Sequence, residues 1–289
     1  MLTAVEVQRQ RRRRTLPSLK QRWQEYILQR IEGYKNSLSR EELLRIGDEA
    51  VAELEATVEG QFLLTEVLMQ DTVDRLIWKR LSLKPFRQWA AQQRAVRAAQ
   101  QEPTHWGIDP RSPLTTLLLR IEPNDSALVI GPGAEAYVYL LTAHEMLVTF
   151  LAGDLACVER VEARIAAESL SSEFSAFVVQ LGEWMPELDR QADLVVFDAG
   201  ALAGLSVADR KRAVQMMQAY TAPRGVHLIV PGVRSPAPEA FLSLYSGWIR
   251  DEPRGGKRRG GPRSLGVMLA KAPSHCDTTA VEAKGHARA

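Results

Sequence analysis

The sequence, 289 residues long, predicts an α/β fold with a mostly parallel sheet, preceded by an all-helical region. Two observations carry that prediction. Up to about residue 101 the apolar residues recur at three- and four-residue steps, the period of amphipathic helices. Beyond the turn-rich stretch Glu102-Pro-Thr-His-Trp-Gly107, with Pro110 and Pro113 behind it, short apolar runs alternate with helical stretches, the pattern of parallel strands joined by helices.

The elements follow in order. Leu19, Trp23, Tyr26, Ile27, Ile31 and Tyr34 recur as the stripe of a first amphipathic helix, which Asn36-Ser-Leu-Ser39 interrupts. Ser39 and Glu42 have capping-box spacing, and the helix they open carries Leu43, Ile46, Ala50, Leu54 and Val58. A third helix begins near Gln61, and Pro85 separates it from a fourth near 86 to 100. Trp23, Trp78 and Trp89 read first as core or lid packing against the second domain, with base stacking beside arginines as the alternative. The strands expected after the connector are Ser126–Ile130, Met146–Leu151, Phe174–Leu181, Asp193–Phe197 and Val226–Val230, with a terminal pair at Trp248-Ile249 and Leu265–Leu269. Helices are expected over about 134–143, 155–169 and 206–220. The domain reading is therefore a basic arm over 1–15, expected to be disordered, a helical domain over 16–104, an α/β domain over 105–273, and a flexible tail over 274–289.

Composition narrows the function classes. No apolar run reaches the roughly 18 residues of a membrane span, and the N-terminal arginines precede no apolar signal core, so a cytoplasmic protein without membrane contact is expected. Only Cys157 and Cys276 are present, which excludes a disulfide framework and leaves no metal-binding cluster. The net charge of +2 hides an asymmetry. Residues 1–22 hold six Arg and one Lys against Glu6, and residues 250–264 hold Arg250, Arg254, Lys257, Arg258, Arg259 and Arg263 against Asp251 and Glu252. Two basic segments on an acidic body suit contact with nucleic acid or another polyanion, or serve solubility alone.

The first apolar run ends in Gly131-Pro-Gly133-Ala-Glu135-Ala136, a G-x-G-x-x-A pattern, and Asp154 follows the second. Such glycines let a turn bring its backbone close to a ligand, and a carboxylate on the neighbouring strand end accepts bonds from ribose hydroxyls. The implied ligand carries a nucleoside. Asp154 as a cap of the next helix, and Asp198 as a partner of backbone donors in its own loop, are the structural alternatives.

From Ala127 to Val230 the chain resembles the core of class I S-adenosylmethionine-dependent methyltransferases. ALVIGPGAEA is similar to that family's first motif, VTFLAGD to its second and ADLVVFDAGALAGLS to its fourth, and TAPRGVHLIVPG to its turn and fifth strand. The resemblance implies a Rossmann-like seven-stranded sheet of order 3-2-1-4-5-7-6 with the seventh strand antiparallel. It implies S-adenosylmethionine as cofactor, held by Gly131, Gly133, Asp154, Glu183 and Asp198, with Asp198 beside the methyl donor. The basic loop, through Arg254, Lys257, Arg258 and Arg259, would face an acidic or phosphorylated substrate. The chain departs from the family at Val129-Ile130, where an acid is usual, at Glu135, where a third glycine falls, and at Gly182. Neither cysteine follows the fourth strand and Asp198-Ala-Gly200 is not N/D-P-P-Y, which disfavours cytosine C5 and base amino methylation. The leading expectation is a methyltransferase of unidentified substrate, its helical domain a lid, substrate cap or homodimer surface. The alternatives are a non-catalytic scaffold of the same fold that contacts nucleic acid, and an NAD-dependent dehydrogenase. His144 and His227 lack a partner at metal spacing and are expected to be structural.

Overall fold

Four helices come first: α1 (Leu19–Ser37), α2 (Arg40–Thr57), α3 (Glu66–Arg80) and α4 (Phe86–Gln100). The computed structural model describes residues 18–57, 66–170, 173–188, 190–232, 236–250 and 266–272. The basic arm, the four basic loop residues and the C-terminal tail named above lie outside them. Ser18 opens α1 by accepting the N–H of Gln21, whose side chain returns a bond to the Ser18 N–H. Ser39 and Glu42 form the same reciprocal pair at α2, at 2.9 and 3.3 Å. Ile27, Ile31, Ile46, Ile77 and Leu83 make the buried core of this bundle. Trp23 meets Trp78 and Phe86 edge-on and donates its indole N–H to the Lys84 carbonyl, while Trp89 is buried against Tyr26.

The chain divides into two compact units, residues 1–96 and 97–289. The division precedes the proline-rich connector because the last turn of α4 already bonds within the second unit. Arg97 pairs with Glu145 at 2.6 Å, and Gln100 donates to the Glu168 carbonyl at 3.0 Å.

In the second unit a short helix α5 (Pro113–Leu118) precedes β1 (Ser126–Ile130), α6 (Glu135–Ala143), β2 (Leu147–Ala152), α7 (Leu155–Ala167), β3 (Phe174–Val178), β4 (Ala192–Asp198), α8 (Val207–Ala219), β5 (Thr221–Val230), β6 (Trp248–Arg250) and β7 (Val267–Lys271). The strands form one sheet of order β3-β2-β1-β4-β5-β7-β6. β1 to β5 are parallel, and β7 runs antiparallel to both β5 and β6. Both faces are covered, which is why β1 reads as an unbroken apolar run. Ala127 and Val129 enter the core under α6 and α7, and Leu128 and Ile130 enter the core under α8. Cys157, Val158, Val161 and Ile165 form the buried stripe of α7.

Two strand limits differ from expectation by three residues or more. β3 stops at Val178 because the chain turns away over Gln180–Glu183, and β5 begins at Thr221 rather than Val226. Pro223-Arg-Gly225 reads as a turn, yet the ladder to β4 absorbs it through a register shift, with Arg224 at φ 67°. Among the described residues no helix is long and apolar enough to cross a membrane.

His227 on β5 is fully buried and satisfied at both nitrogens. Thr221 gives its hydroxyl proton to the Met217 carbonyl at 2.7 Å, so it accepts from His227 Nε2 at 2.6 Å. Tyr245 then donates its hydroxyl to Nδ1 at 2.8 Å. Burial, and secondarily the charge of Lys271, pull the imidazole pKa down to about 3, and burial pushes the Tyr245 hydroxyl up. The ring is a neutral structural link, in agreement with the sequence reading.

Candidate functional site

The helix after β1 packs on one face of the sheet and the helix after β4 on the other, although the two strands are neighbours. Chain leaving in opposite directions opens a crevice beyond the carboxyl ends of such strands, the place where open α/β sheets bind ligands. The glycine turn stands there. Gly131 has φ 94°, a conformation that strains any residue with a side chain, and its N–H continues the ladder to Leu151 at 2.9 Å.

Asp198, at the end of β4, packs against the glycine turn. Its carboxylate accepts the Gly133 N–H at 3.0 Å on Oδ2 and the Gly200 N–H at 2.7 Å on Oδ1, and the residue is only 3 % exposed. The backbone crowds it closely. A Cβ on Gly133 would fall 2.6 Å from the carboxylate, and one on Gly232, just after β5, only 2.1 Å from Oδ1. One carboxylate therefore joins the loops that follow β1, β4 and β5. No ion pair to Asp198 is formed among the described residues.

Glu135 takes no part in that hollow. It pairs with Arg160 on α7 and accepts the thiol of Cys157 at 3.2 Å. Burial, reinforced by this carboxylate, pushes the Cys157 thiol up to about 12, so it stays protonated and is no nucleophile.

Asp154 follows β2 and is exposed. It is the N-cap of α7, with Oδ1 accepting the Ala156 N–H at 3.1 Å, an arrangement that engages one carboxylate oxygen. Glu183, exposed, lies in the turn after β3 beside Trp184, which is 54 % exposed. The structure thus brings Gly131, Gly133 and Asp198 into contact. Asp154 and Glu183 share their strand-end edge without touching them.

The surrounding loops are anchored by α8. Arg210 donates to the Leu202, Ala203 and Leu205 carbonyls at 3.3 to 3.4 Å and stacks over Phe241. Arg212 donates to the Gly182 carbonyl at 3.1 Å. Sequence reasoning did not single out Gly232 or Arg210. Gly232 had a visible signal, since Val230-Pro-Gly232 repeats the strand-end glycine of Ile130-Gly-Pro-Gly133.

The sequence matches no protein-family model and no curated protein. Among solved structures, the chain is similar to the N-methyltransferase NodS from Bradyrhizobium japonicum, at 17 % identity over 54 % of this chain and 90 % of that one, with a TM-score of 0.39. It is also similar to the glycopeptide N-methyltransferase MtfA, at 14 % identity over 60 % of this chain and all of that one, TM-score 0.42. MtfA has been solved with S-adenosyl-L-methionine and with S-adenosyl-L-homocysteine. A third likeness is to an rRNA methylase from Streptococcus thermophilus, at 13 % identity over 59 % and 96 %, TM-score 0.42. The fold itself is settled by the sheet. Order 3-2-1-4-5-7-6 with an antiparallel seventh strand, behind four helices, is the class I methyltransferase fold.

Proposed function

We propose that this protein binds S-adenosylmethionine at the β1–β4 crevice and transfers its methyl group to a substrate still to be identified. The observation that carries the reading is the glycine turn at the switch point, with Asp154 at the end of β2 and Glu183 in the turn that follows β3. The residues present fit the cofactor. Gly131 and Gly133 form the tight turn at this strand end, with Asp198 packed beneath them, and the second oxygen of Asp154 is free of the helix cap to meet a ribose hydroxyl. Glu183 and the exposed face of Trp184 offer a polar and a flat apolar partner for a base. When bound, the cofactor supplies an electrophilic methyl group on a sulfonium. The chain's part is orientation, which alone lowers the barrier of such a displacement.

Isothermal titration with S-adenosylmethionine, S-adenosylhomocysteine and NAD tests the reading. Saturable binding of the first two, and none of NAD, is expected. Silence from all three overturns it.

A second reading, a non-catalytic scaffold that contacts nucleic acid through its basic segments, is favoured by one observation. Asp154 and Asp198 both have structural partners, a helix N-terminus and two loop amides, that explain them without a ligand. Under either reading, location in the cytoplasm and self-association through the helical unit complete the proposal, and light scattering of the full chain tests the latter.

A further inference from the structure

A glycine turn at a strand end offers backbone N–H groups to an anion, and in nucleotide-binding sheets a phosphate takes them. In this protein the anion is internal. The Asp198 carboxylate holds the Gly133 and Gly200 amides at 3.0 and 2.7 Å and sits where a Cβ of Gly133 or Gly232 would stand. We propose that Asp198 is the specificity-determining residue of the crevice, a built-in carboxylate that excludes phosphate-bearing nucleotides by occupying the donors and the space a phosphate needs.

Three effects act together. The amides that would bind a phosphate are already bonded, so an incoming anion must break those bonds before it gains any. The space directly beside Gly133 and Gly232 is also taken, since even one carbon added to either would collide with the carboxylate. Finally, a carboxylate and a phosphate are both anionic. Two like charges about 4 Å apart near a protein surface repel strongly enough to weaken binding roughly a hundredfold or more. A ligand with a cationic or neutral reacting group, which seeks neither the amides nor the place beside Gly133, meets no such repulsion. The inference rests on the proposed function only in taking this crevice as the ligand site.

The test compares wild type, Asp198→Ala and Asp198→Asn as full chains at one ionic strength, with inorganic pyrophosphate, ATP and S-adenosylmethionine as probes. Calorimetry gives affinities, and the amide resonances of Gly133 and Gly200 report whether binding occurs in the crevice and not on the basic segments. Pyrophosphate and ATP are expected to leave both amides of the wild type unmoved. In Asp198→Ala they should shift both amides and bind at least about tenfold tighter. Asp198→Asn, which keeps the shape, should show a smaller gain and decides the matter should the alanine variant fail to fold. Equal affinities in wild type and variants, or wild-type Gly133 shifting with pyrophosphate, overturn the inference. A wild type that ignores S-adenosylmethionine while the variants gain pyrophosphate overturns the proposed donor and leaves the discrimination standing.

Discussion

Gly232 and Asp198 stand so close that a methyl group on the glycine would lie 2.1 Å from the carboxylate oxygen Oδ1. The same methyl would lie 2.7 Å from the Gly200 nitrogen, so the neighbour that must give way includes backbone. Gly232→Ala and Gly133→Ala are therefore expected to destabilise the second unit by about 1–3 kcal/mol, the usual cost of overpacking. Because the Gly133 clash is with the Asp198 carboxylate alone, its penalty should shrink in an Asp198→Ala background, whereas Gly232→Ala keeps its clash with the Gly200 backbone. A double-mutant cycle by urea denaturation measures this coupling, expected at about 1 kcal/mol or more. Additive effects would separate the glycines from the carboxylate.

The proposed ribose contact and the observed helix cap make different demands on Asp154. Asp154→Ala loses both and should cost about 1 kcal/mol of stability. Asp154→Ser keeps the acceptor for the Ala156 N–H, so it should retain stability while weakening S-adenosylmethionine by about 1–3 kcal/mol, through ribose donors left unmatched. Calorimetry beside thermal melts checks the pair. Unchanged affinity in both variants assigns Asp154 to the cap alone.

How much of this was legible in the sequence depended on how local the cause was. The apolar runs of β1, β2 and β4 announce buried parallel strands because each run is covered on both faces. The caps at Ser39 and Asp154 lie beside the helices they open. The start of β5 was hidden, since Pro223-Arg-Gly225 carries turn chemistry and only the pairing with β4 keeps it in the ladder. The site divides the same way. Gly131 and Gly133 form a contiguous motif, but their relation to Asp198 spans 65 residues and exists only once β1 and β4 are neighbours. Glu135 fell in the motif and turned out to serve α7, because Arg160 was the partner the helix pair brought within reach.

His227 should make the fold sensitive to acid. Its folded pKa, about 3, lies below the ordinary value near 6.5, so the unfolded chain binds the extra proton first. The stability contributed by the neutral ring is complete above about pH 6.5 and declines as the pH falls through that value toward 3, by at most about 1.4 kcal/mol per pH unit. Urea unfolding at pH 7, 6, 5 and 4 should show this slope in the wild type and a shallower one in His227→Gln. Parallel slopes would mean that the ring does not stay neutral in the folded state.

Arg210 should act on the loop after β4 through geometry more than charge. Its guanidinium spans three carbonyls and lies over the Phe241 ring, a combination a lysine ammonium cannot reproduce. Arg210→Lys is expected to lower stability by about 1–2 kcal/mol and to speed hydrogen exchange of residues 199–205, read by mass spectrometry. Exchange at wild-type rates would show that the loop holds itself.

The basic segments give the last prediction. If the scaffold reading holds, or if the substrate is a polyanion, Lys257, Arg258 and Arg259 contact phosphates, and each contact releases counter-ions from the nucleic acid. Replacing all three by Gln should then weaken single-stranded RNA binding and reduce the slope of log affinity against log salt by about 2, since each phosphate contact contributes roughly 0.7. The same variant should bind S-adenosylmethionine with wild-type affinity, because Gly131, Gly133 and Asp198 are untouched. A weakened affinity with an unaltered salt slope would mean that the loop acts through shape or folding instead of charge, and the polyanion contact would then have to be sought in the arginines of residues 9–14.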